Sequence, residues 1–300
     1  MPQKKSARIL LCLLLVLALI SGCDATGTVA DTPAQADASP PGSFAAGVSG
    51  TLEVHYIDVG QADCIFIRQD EATLLIDAGN NADGPAVVSY LHGQGVETLD
   101  TVIGTHPHED HIGGLDQALL AFGANKVIIP KVTHTTKTFE DLIDAIDQKG
   151  LRVTTPAPGM QFTVGDAQCT ILAPVSTAYE DLNNYSVVVR VTHGDTAFLF
   201  SGDAEALSEQ EMLQGTLPLQ ADVLKVGHHG SNSSSTAEFL QAVSPSIAVI
   251  SVGRDNDYGH PSPETLRRLQ AAGATVYRTD ETGTVIIYSD GNTITTETER

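Results

Sequence analysis

The chain has no tryptophan, three methionines and four cysteines, and aromatic residues make up 5% of it. With a hydrophobic fraction of 42%, it fits an ordinary soluble globular protein once the N-terminus is set aside. Basic residues are the second shortage: 16 Lys and Arg face 37 Asp and Glu, for a net charge of −21. Strong non-specific binding to phosphate backbones needs a basic face, so this balance argues against it. A nucleic acid gripped through metal ions is not excluded. Cysteine chemistry is sparse. Cys64 and Cys169, the two beyond the N-terminal segment, lie in apolar runs and lack the CxxC or Cys-His spacing of a zinc ribbon. Two buried thiols and one disulfide are equally open. No G-x-S-x-G context marks a nucleophilic serine, and Gly230-Ser231 does not supply one. There is no internal repeat.

The one long apolar run, Ile9 to Ile20, is too short to span a bilayer comfortably. Lys4, Lys5 and Arg8 precede it and Ile20-Ser21-Gly22-Cys23 follows, the layout of a secretory signal whose cysteine resembles the bacterial lipobox. The expectation is a lipoprotein signal over 1–22, a lipid anchor at Cys23, and residence on the outer face of the cytoplasmic membrane. A plain signal with a chance cysteine, or an uncleaved anchor, is the alternative. Removing that signal takes away three cations and no acids, which leaves about −24. Residues 23–50 are rich in Ala, Pro, Ser, Thr, Gly and Asp. They cannot bury enough surface to offset chain entropy and are expected to be a disordered tether. The hydrolase domain is then 51–300, long enough for one large domain with a substantial core.

From Thr51 onward, short β-rich runs are punctuated by Gly and Asp. Leu52 to Ile57, Cys64 to Ile67 and Thr73 to Ile76 read as an antiparallel meander. Helical stretches at Pro85–Gln94, Leu115–Phe122 and Phe139–Gln148 alternate with strands at Thr101–Gly104 and Lys126–Pro130. The second half brings strands at Cys169–Leu172, Ser186–Val191 and Thr196–Phe200, with a hairpin turn at His193-Gly194-Asp195. Further strands at Asp222–Val226, Ile247–Val252, Val276-Tyr277 and Val285–Tyr288 are separated by helices at Glu205–Leu213, Thr236–Ala242 and Pro263–Ala272. Such an order points to helices layered on sheets. The His and Asp clusters each follow a strand: Asp77, His106 to His111, Asp203, His228-His229 and His260. Loops at one edge of a sheet are where layered folds assemble sites.

The densest cluster is Thr105-His106-Pro107-His108-Glu109-Asp110-His111-Ile112-Gly113-Gly114, with three imidazoles and a metal-competent carboxylate within six residues. Neutral imidazole and carboxylate suit Zn, Mn or Fe rather than an all-oxygen Ca cage. A polar loop rich in His by chance is the bland reading, disfavoured by this density and by the flanking Gly-Gly.

His106-x-His108-x-Asp110-His111 after a strand, with Leu75-Ile76-Asp77-Ala78-Gly79 upstream and Ser201-Gly202-Asp203 downstream, resembles the metallo-β-lactamase superfamily. Asp58 to Asp63, Asn183 to Ser186, Leu224 to Ser231 and Tyr258 to Pro261 resemble one branch. That branch includes the soluble domain of the ComEC DNA-uptake proteins and is similar to bacterial phosphorylcholine esterases. The resemblance runs from about Leu52 to Tyr288. It implies an α/β fold, a four-layer αββα sandwich with two divalent metal ions, Zn or Mn, between the sheets.

By that resemblance His106 and His108 ligate one metal, Asp110 and His111 the second, and Asp203 bridges them. The superfamily often supplies another His roughly twenty residues before the bridging Asp, but here the region reads Asn183-Asn184. His193 is nearer, yet sits in an apparent turn at the wrong end of the sheet. His229 is therefore expected to complete the His106/His108 site and His260 the Asp110/His111 site. His228 points to the opposite face if the strand continues. A solvated turn at His228-His229 and a mere helix-preceding role for His260 are the alternatives. Asp77 is expected to orient a ligand His, and Asp58 to do likewise or to form a turn. Asn184 and Ser186 are candidates for hydrogen-bonding a phosphate or carbonyl oxygen, with turn chemistry as the competing role for Asn184. Asp110, Asn184 and His228 are the expected catalytic residues.

The implied chemistry is hydrolysis by a metal-bridging hydroxide that Asp110 holds. Phosphoesters, nucleic acid among them, best combine an electrophilic centre with an anionic oxygen, so a phosphodiesterase or nuclease is expected. A lactam, lactone or thioester hydrolase is the alternative within enzymes. A non-catalytic metal-containing surface module is the alternative outside them, disfavoured because structural zinc sites are usually closed tetrahedra.

Overall fold

The computed structural model describes residues 49–300. The signal expected over 1–22, Cys23 and the tether through residue 48 lie outside the described residues. Strands β1 (Leu52–Tyr56), β2 (Ile65–Gln69) and β3 (Ala72–Ile76) are antiparallel neighbours, the expected meander. Strands β4 (Leu99–Ile103), β5 (Ala124–Ile128) and the two-residue β6 (Val153–Thr154) extend the sheet in parallel. Their connections carry helices α1 (Gly84–Gly93), α2 (Glu109–Ile112), α3 (Leu115–Phe122) and α4 (Lys137–Gln148).

The second sheet begins with the antiparallel β7 (Gln161–Val164), β8 (Ala167–Ala173), β9 (Val188–His193) and β10 (Thr196–Phe200). Parallel β11 (Val223–Lys225), β12 (Ile247–Ile250) and β13 (Thr275–Arg278) follow. Helices α5 (Ala206–Gln214), α6 (Ala237–Val243), α7 (Pro263–Ala271) and α8 (Thr279–Thr282) punctuate this half. The chain then returns to the first sheet through β14 (Val285–Ser289), paired with β1, and β15 (Ile294–Thr298). The sheets run β15-β14-β1-β2-β3-β4-β5-β6 and β13-β12-β11-β10-β9-β8-β7.

Period-two alternation decides which residues go to which layer. Ile65, Ile67, Leu74 and Ile76 face the second sheet and meet Phe198, Phe200, Val189 and Val191. Their neighbours Phe66 and Leu75 turn the other way, onto Val87, Leu91, Leu115, Leu119 and Leu142 of the helices. The second sheet is covered likewise, with Leu199, Leu224 and Ile250 against Met212, Phe239, Leu240 and Leu269. Three apolar layers between four layers of structure make an αββα sandwich. Each fully buried Leu, Ile or Phe is worth about 1.5–3 kcal/mol over exposure. Thr136, Thr236 and Ser262 cap α4, α6 and α7 by accepting from the backbone N–H of Phe139, Phe239 and Thr265.

Cys64 and Cys169 are both free and buried. One packs under the helices and the other between the sheets, so of the two open readings the structure shows two thiols. No helix among the described residues is long and apolar enough to cross a membrane. The loops after β3, β4, β10, β11 and β12 gather at one edge. The Gly-Gly after the His cluster makes this possible: a Cβ on Gly113 would lie 2.3 Å from the backbone of Asn80 and Asn81, and one on Gly114 2.4 Å from Ala78 O. The loop after β3 can press against the start of α3 only where side chains are absent.

Candidate metal centre

Asp77 leaves β3 with a φ of 59°, a conformation that non-glycine residues rarely adopt. Its buried carboxylate accepts from Thr105 N at 2.8 Å and Thr105 Oγ1 at 2.7 Å, pinning the chain where β4 ends. It also accepts from His111 Nδ1 at 2.8 Å, which fixes that ring's tautomer and aims Nε2 inward, 3.3 Å from Asp203 Oδ1. This is the orienting geometry expected of Asp77. His106 Nδ1 lies 3.1 Å from Thr105 Oγ1 and 3.3 Å from Ser186 Oγ, which leaves Nε2 3.0 Å from His108 Nδ1 and 3.9 Å from Asp203 Oδ2. Ser186 Oγ also accepts from Asp203 N at 3.0 Å, so one hydroxyl ties both halves of the chain.

The second half supplies Asp203 after β10 and a 3-10 turn over Gly227–Gly230 after β11. His228 and His229 are both left-handed there, with φ of 50° each. The strand therefore does not continue, the alternation rule does not apply, and both imidazoles turn toward the carboxylates. His228 Nε2 is 3.7 Å from Asp203 Oδ2, which corrects the opposite-face expectation. His229 Nδ1 faces Ser251 O at 3.0 Å and its Nε2 lies 3.2 Å from Asp110 Oδ2. Potential ligand atoms of Asp110, His111, Asp203 and His229 all lie within 4.8 Å of one another.

The pairing thus differs from the sequence expectation. His229 joins Asp110 and His111 rather than His106 and His108. His260 does not join that group; its ring packs 5.6 Å from His228 and 5.8 Å from Tyr258. Asn256 fixes its loop, accepting from His260 N at 3.0 Å and donating to His260 O at 2.6 Å. Asn184 is also placed differently. Its Oδ1 accepts from Glu205 N and Ser208 N at 3.3 and 3.2 Å, and its Nδ2 donates to Glu205 Oε2, so it secures the start of α5 instead of facing a substrate. His193 sits at the far end of β9 against Gln69 and Ser289, away from the cluster as expected. Asp58 accepts from Gly60 N and Arg300, a turn former.

Sequence reasoning gave Asp63 and Lys225 no role. Lys225 Nζ lies 2.7 Å from Asp63 Oδ2, and both side chains are fully buried. Asp63 Oδ1 in turn stands 3.3 Å from His229 Nδ1. Burial alone would raise the Asp63 pKa, but the Lys225 ammonium and the His229 and His111 imidazoles outweigh it and hold it at about 2. A buried Lys is the available signal, visible in sequence only as a polar interruption of an apolar strand. Lys225→Met strips Asp63 of its partner and is expected to lower stability by about 3–5 kcal/mol. Urea unfolding measures this, and a loss below 1 kcal/mol would contradict it.

The donor set fits divalent cations. His111 Nε2 and Asp203 Oδ1 are buried and make no hydrogen bond, an arrangement that a cation between them relieves. Imidazole with carboxylate is the chemistry of Zn and Mn sites. Asp63 and Asp77 also lie within metal-binding reach of His111, but Lys225 neutralises the first, and Thr105 and His111 occupy the second. Both support the ring rather than offer a separate site.

Charge follows the same logic. Burial alone would lower His229, but Asp203, Asp63 and Asp110 overcome it and lift its pKa to about 10. His111 is raised well above its ordinary value by the carboxylates of Asp203, Asp110 and Asp77, again against burial. Burial and the neighbouring His111 push His106 well below, so it is neutral and free to coordinate. At neutral pH the metal-free protein holds protons on His229 and His111 that a cation must displace. Because those pKa values are raised, displacement becomes easier as pH increases toward them. Metal affinity should therefore climb from pH 6 to 8, with proton release seen as a buffer-dependent enthalpy in titration calorimetry. A pH-independent affinity would contradict the reading.

Residues 57–254 match the family described as the metallo-beta-lactamase superfamily. The chain is 32% identical over 256 residues to ComE operon protein 3 of Bacillus subtilis (79% of this chain, 33% of that protein). It is 31% identical over 241 residues to competence protein ComA of Neisseria gonorrhoeae (75% of this chain, 30% of that protein). The chain thus spans about a third of the length of these relatives. Among solved structures, the metallo-beta-lactamase fold protein YhfI from Bacillus subtilis shares the fold with a TM-score of 0.52 at 16% identity, over 80% of this chain and 100% of that one. With the family match running through both sheets and the same layered architecture beneath it, the chain belongs to the metallo-β-lactamase superfamily.

Proposed function

We propose that the chain is a binuclear metal-dependent phosphodiesterase or nuclease that works outside the cytoplasmic membrane from a lipid anchor at Cys23. The carrying observation is the convergence of Asp110, His111, Asp203 and His229 within 4.8 Å, with His106 and His108 beside them. In this reading His106 and His108 would hold one cation and Asp110, His111 and His229 the other, with Asp203 within reach of both groups. Divalent cations bound there supply Lewis acidity, which lowers the pKa of a water and neutralises charge on the attacked phosphorus.

The chain's own residues do the rest. Asp110, with its side chain 32% exposed against 3% for Asp203, reaches the open side and accepts a hydrogen bond from the attacking water. His228, 24% exposed, turns Nε2 toward Asp203 and donates to a phosphoryl or leaving oxygen. Ser233 Oγ at 3.2 Å and Glu205 Oε1 at 3.5 Å from Nδ1 keep that ring oriented. The resemblance to the soluble domain of DNA-uptake proteins favours a nucleic-acid substrate, while the chain's acidity leaves the metals to grip the phosphate.

A panel of synthetic phosphodiesters, DNA, lactams and lactones with added Mn or Zn tests the activity. Metal-dependent cleavage of phosphodiesters is expected; turnover confined to lactams or lactones would overturn it. Cys23→Ala should release the expressed protein from the membrane fraction, and a variant that stays there would contradict the anchor.

A further inference from the structure

Tyr258 is the most exposed of the large hydrophobic side chains among the described residues, at 73%. Its loop is nonetheless pinned. Asn256 Oδ1 accepts from Tyr258 N and His260 N at 3.2 and 3.0 Å, and Asn256 Nδ2 donates to Gly253 O and His260 O at 2.9 and 2.6 Å. Beneath Tyr258 the His260 ring lies nearly parallel, at 5.8 Å and 24°. His260 meets His228 edge-on at 5.6 Å, and His228 Nε2 stands 3.7 Å from Asp203. Three rings thus form a row from the carboxylate cluster to the rim. His260 Nδ1, buried along that row, has no hydrogen-bond partner, so packing between Tyr258 and His228 holds the ring.

We infer that Tyr258, backed by His260, is a stacking subsite for a flat heteroaromatic ring, so that the phosphoester substrates are nucleotides. This rests on the phosphodiesterase reading and deepens it. A ligand filling the row carries its phosphate at the inner, metal-binding end and a nucleobase at the outer one. A single flat face favours a base over a quaternary ammonium, which is best enclosed by several aromatic rings. Because the loop is already fixed, stacking on Tyr258 orders little that was free.

The test is titration calorimetry on Mn-loaded protein with thymidine 5′-monophosphate, methyl phosphate and phosphocholine, alongside turnover of p-nitrophenyl thymidine 5′-phosphate. Wild type should bind the nucleotide more tightly than methyl phosphate by roughly 5- to 150-fold, the range of one base stack. Tyr258→Ala should collapse that ratio toward unity and Tyr258→Phe should keep it. Equal affinity for nucleotide and methyl phosphate in the wild type would overturn the subsite. So would a preference untouched by Tyr258→Ala, or a preference for phosphocholine. Because binding is read without turnover, nucleotide preference in a protein that cleaves no phosphodiester would remove the catalytic reading and leave the subsite standing.

Discussion

Asp203→Ala is expected to cut phosphodiester turnover by more than about 100-fold, since even outer partners of metal ligands typically cost 10–100-fold. The same change should take bound metal below one equivalent. Its side chain is 3% exposed and faces imidazoles from both halves of the chain, with Oδ1 3.3 Å from His111 and Oδ2 3.7 Å from His229 and 3.9 Å from His106. Burial alone would raise its pKa, but His111 and His229 hold it well below, so it is a charged acceptor at any working pH. Without it, His111 and His229 lose the carboxylate that balances them, and neither cation keeps a full set of donors. Asp203→Asn, similar in shape, separates folding from chemistry: it should fold and still fail to retain metal. Elemental analysis and circular dichroism together decide. Two retained equivalents with turnover within a few-fold of wild type would remove Asp203 from the centre.

His229→Ala and His260→Ala should behave differently. His229 lies 3.2 Å from Asp110 and belongs to the compact group of four, so its loss should release about one metal equivalent. His260 packs on His228 and Tyr258 instead, and its alanine variant should keep both equivalents while binding substrate less well. A His260→Ala protein short of one metal would restore the pairing that the sequence alone suggests.

The fold was readable because its layers follow periodicity. Ile65, Phe66 and Ile67, or Leu74, Leu75 and Ile76, alternate faces as strands must, and Leu115–Phe122 forms a helix with the bounds its pattern implies. The four-residue β7 escaped because only Phe162 and Val164 mark its buried face, and β15 because none of its positions is fully buried. The site was legible where it is local: His106 to His111 run from the loop after β4 into α2, and Asp77 follows the strand beside it. It was not legible where tertiary contacts decide. Left-handed His228 and His229 break the alternation that assigned them opposite faces, since His seldom adopts that conformation unaided. Asn184 bonds Glu205 and Ser208 more than twenty residues away, and Asp63 meets Lys225 across the two sheets. No pattern in the chain announces such pairings.

The most direct measurement is metal content of the purified protein combined with cleavage of bis-p-nitrophenyl phosphate before and after chelation. The expected result is about two equivalents of divalent metal per chain, with turnover abolished by chelation and restored by Mn or Zn. Cleavage that survives complete removal of metal, or two bound equivalents with no phosphodiester turnover, would contradict a binuclear metal-dependent phosphodiesterase.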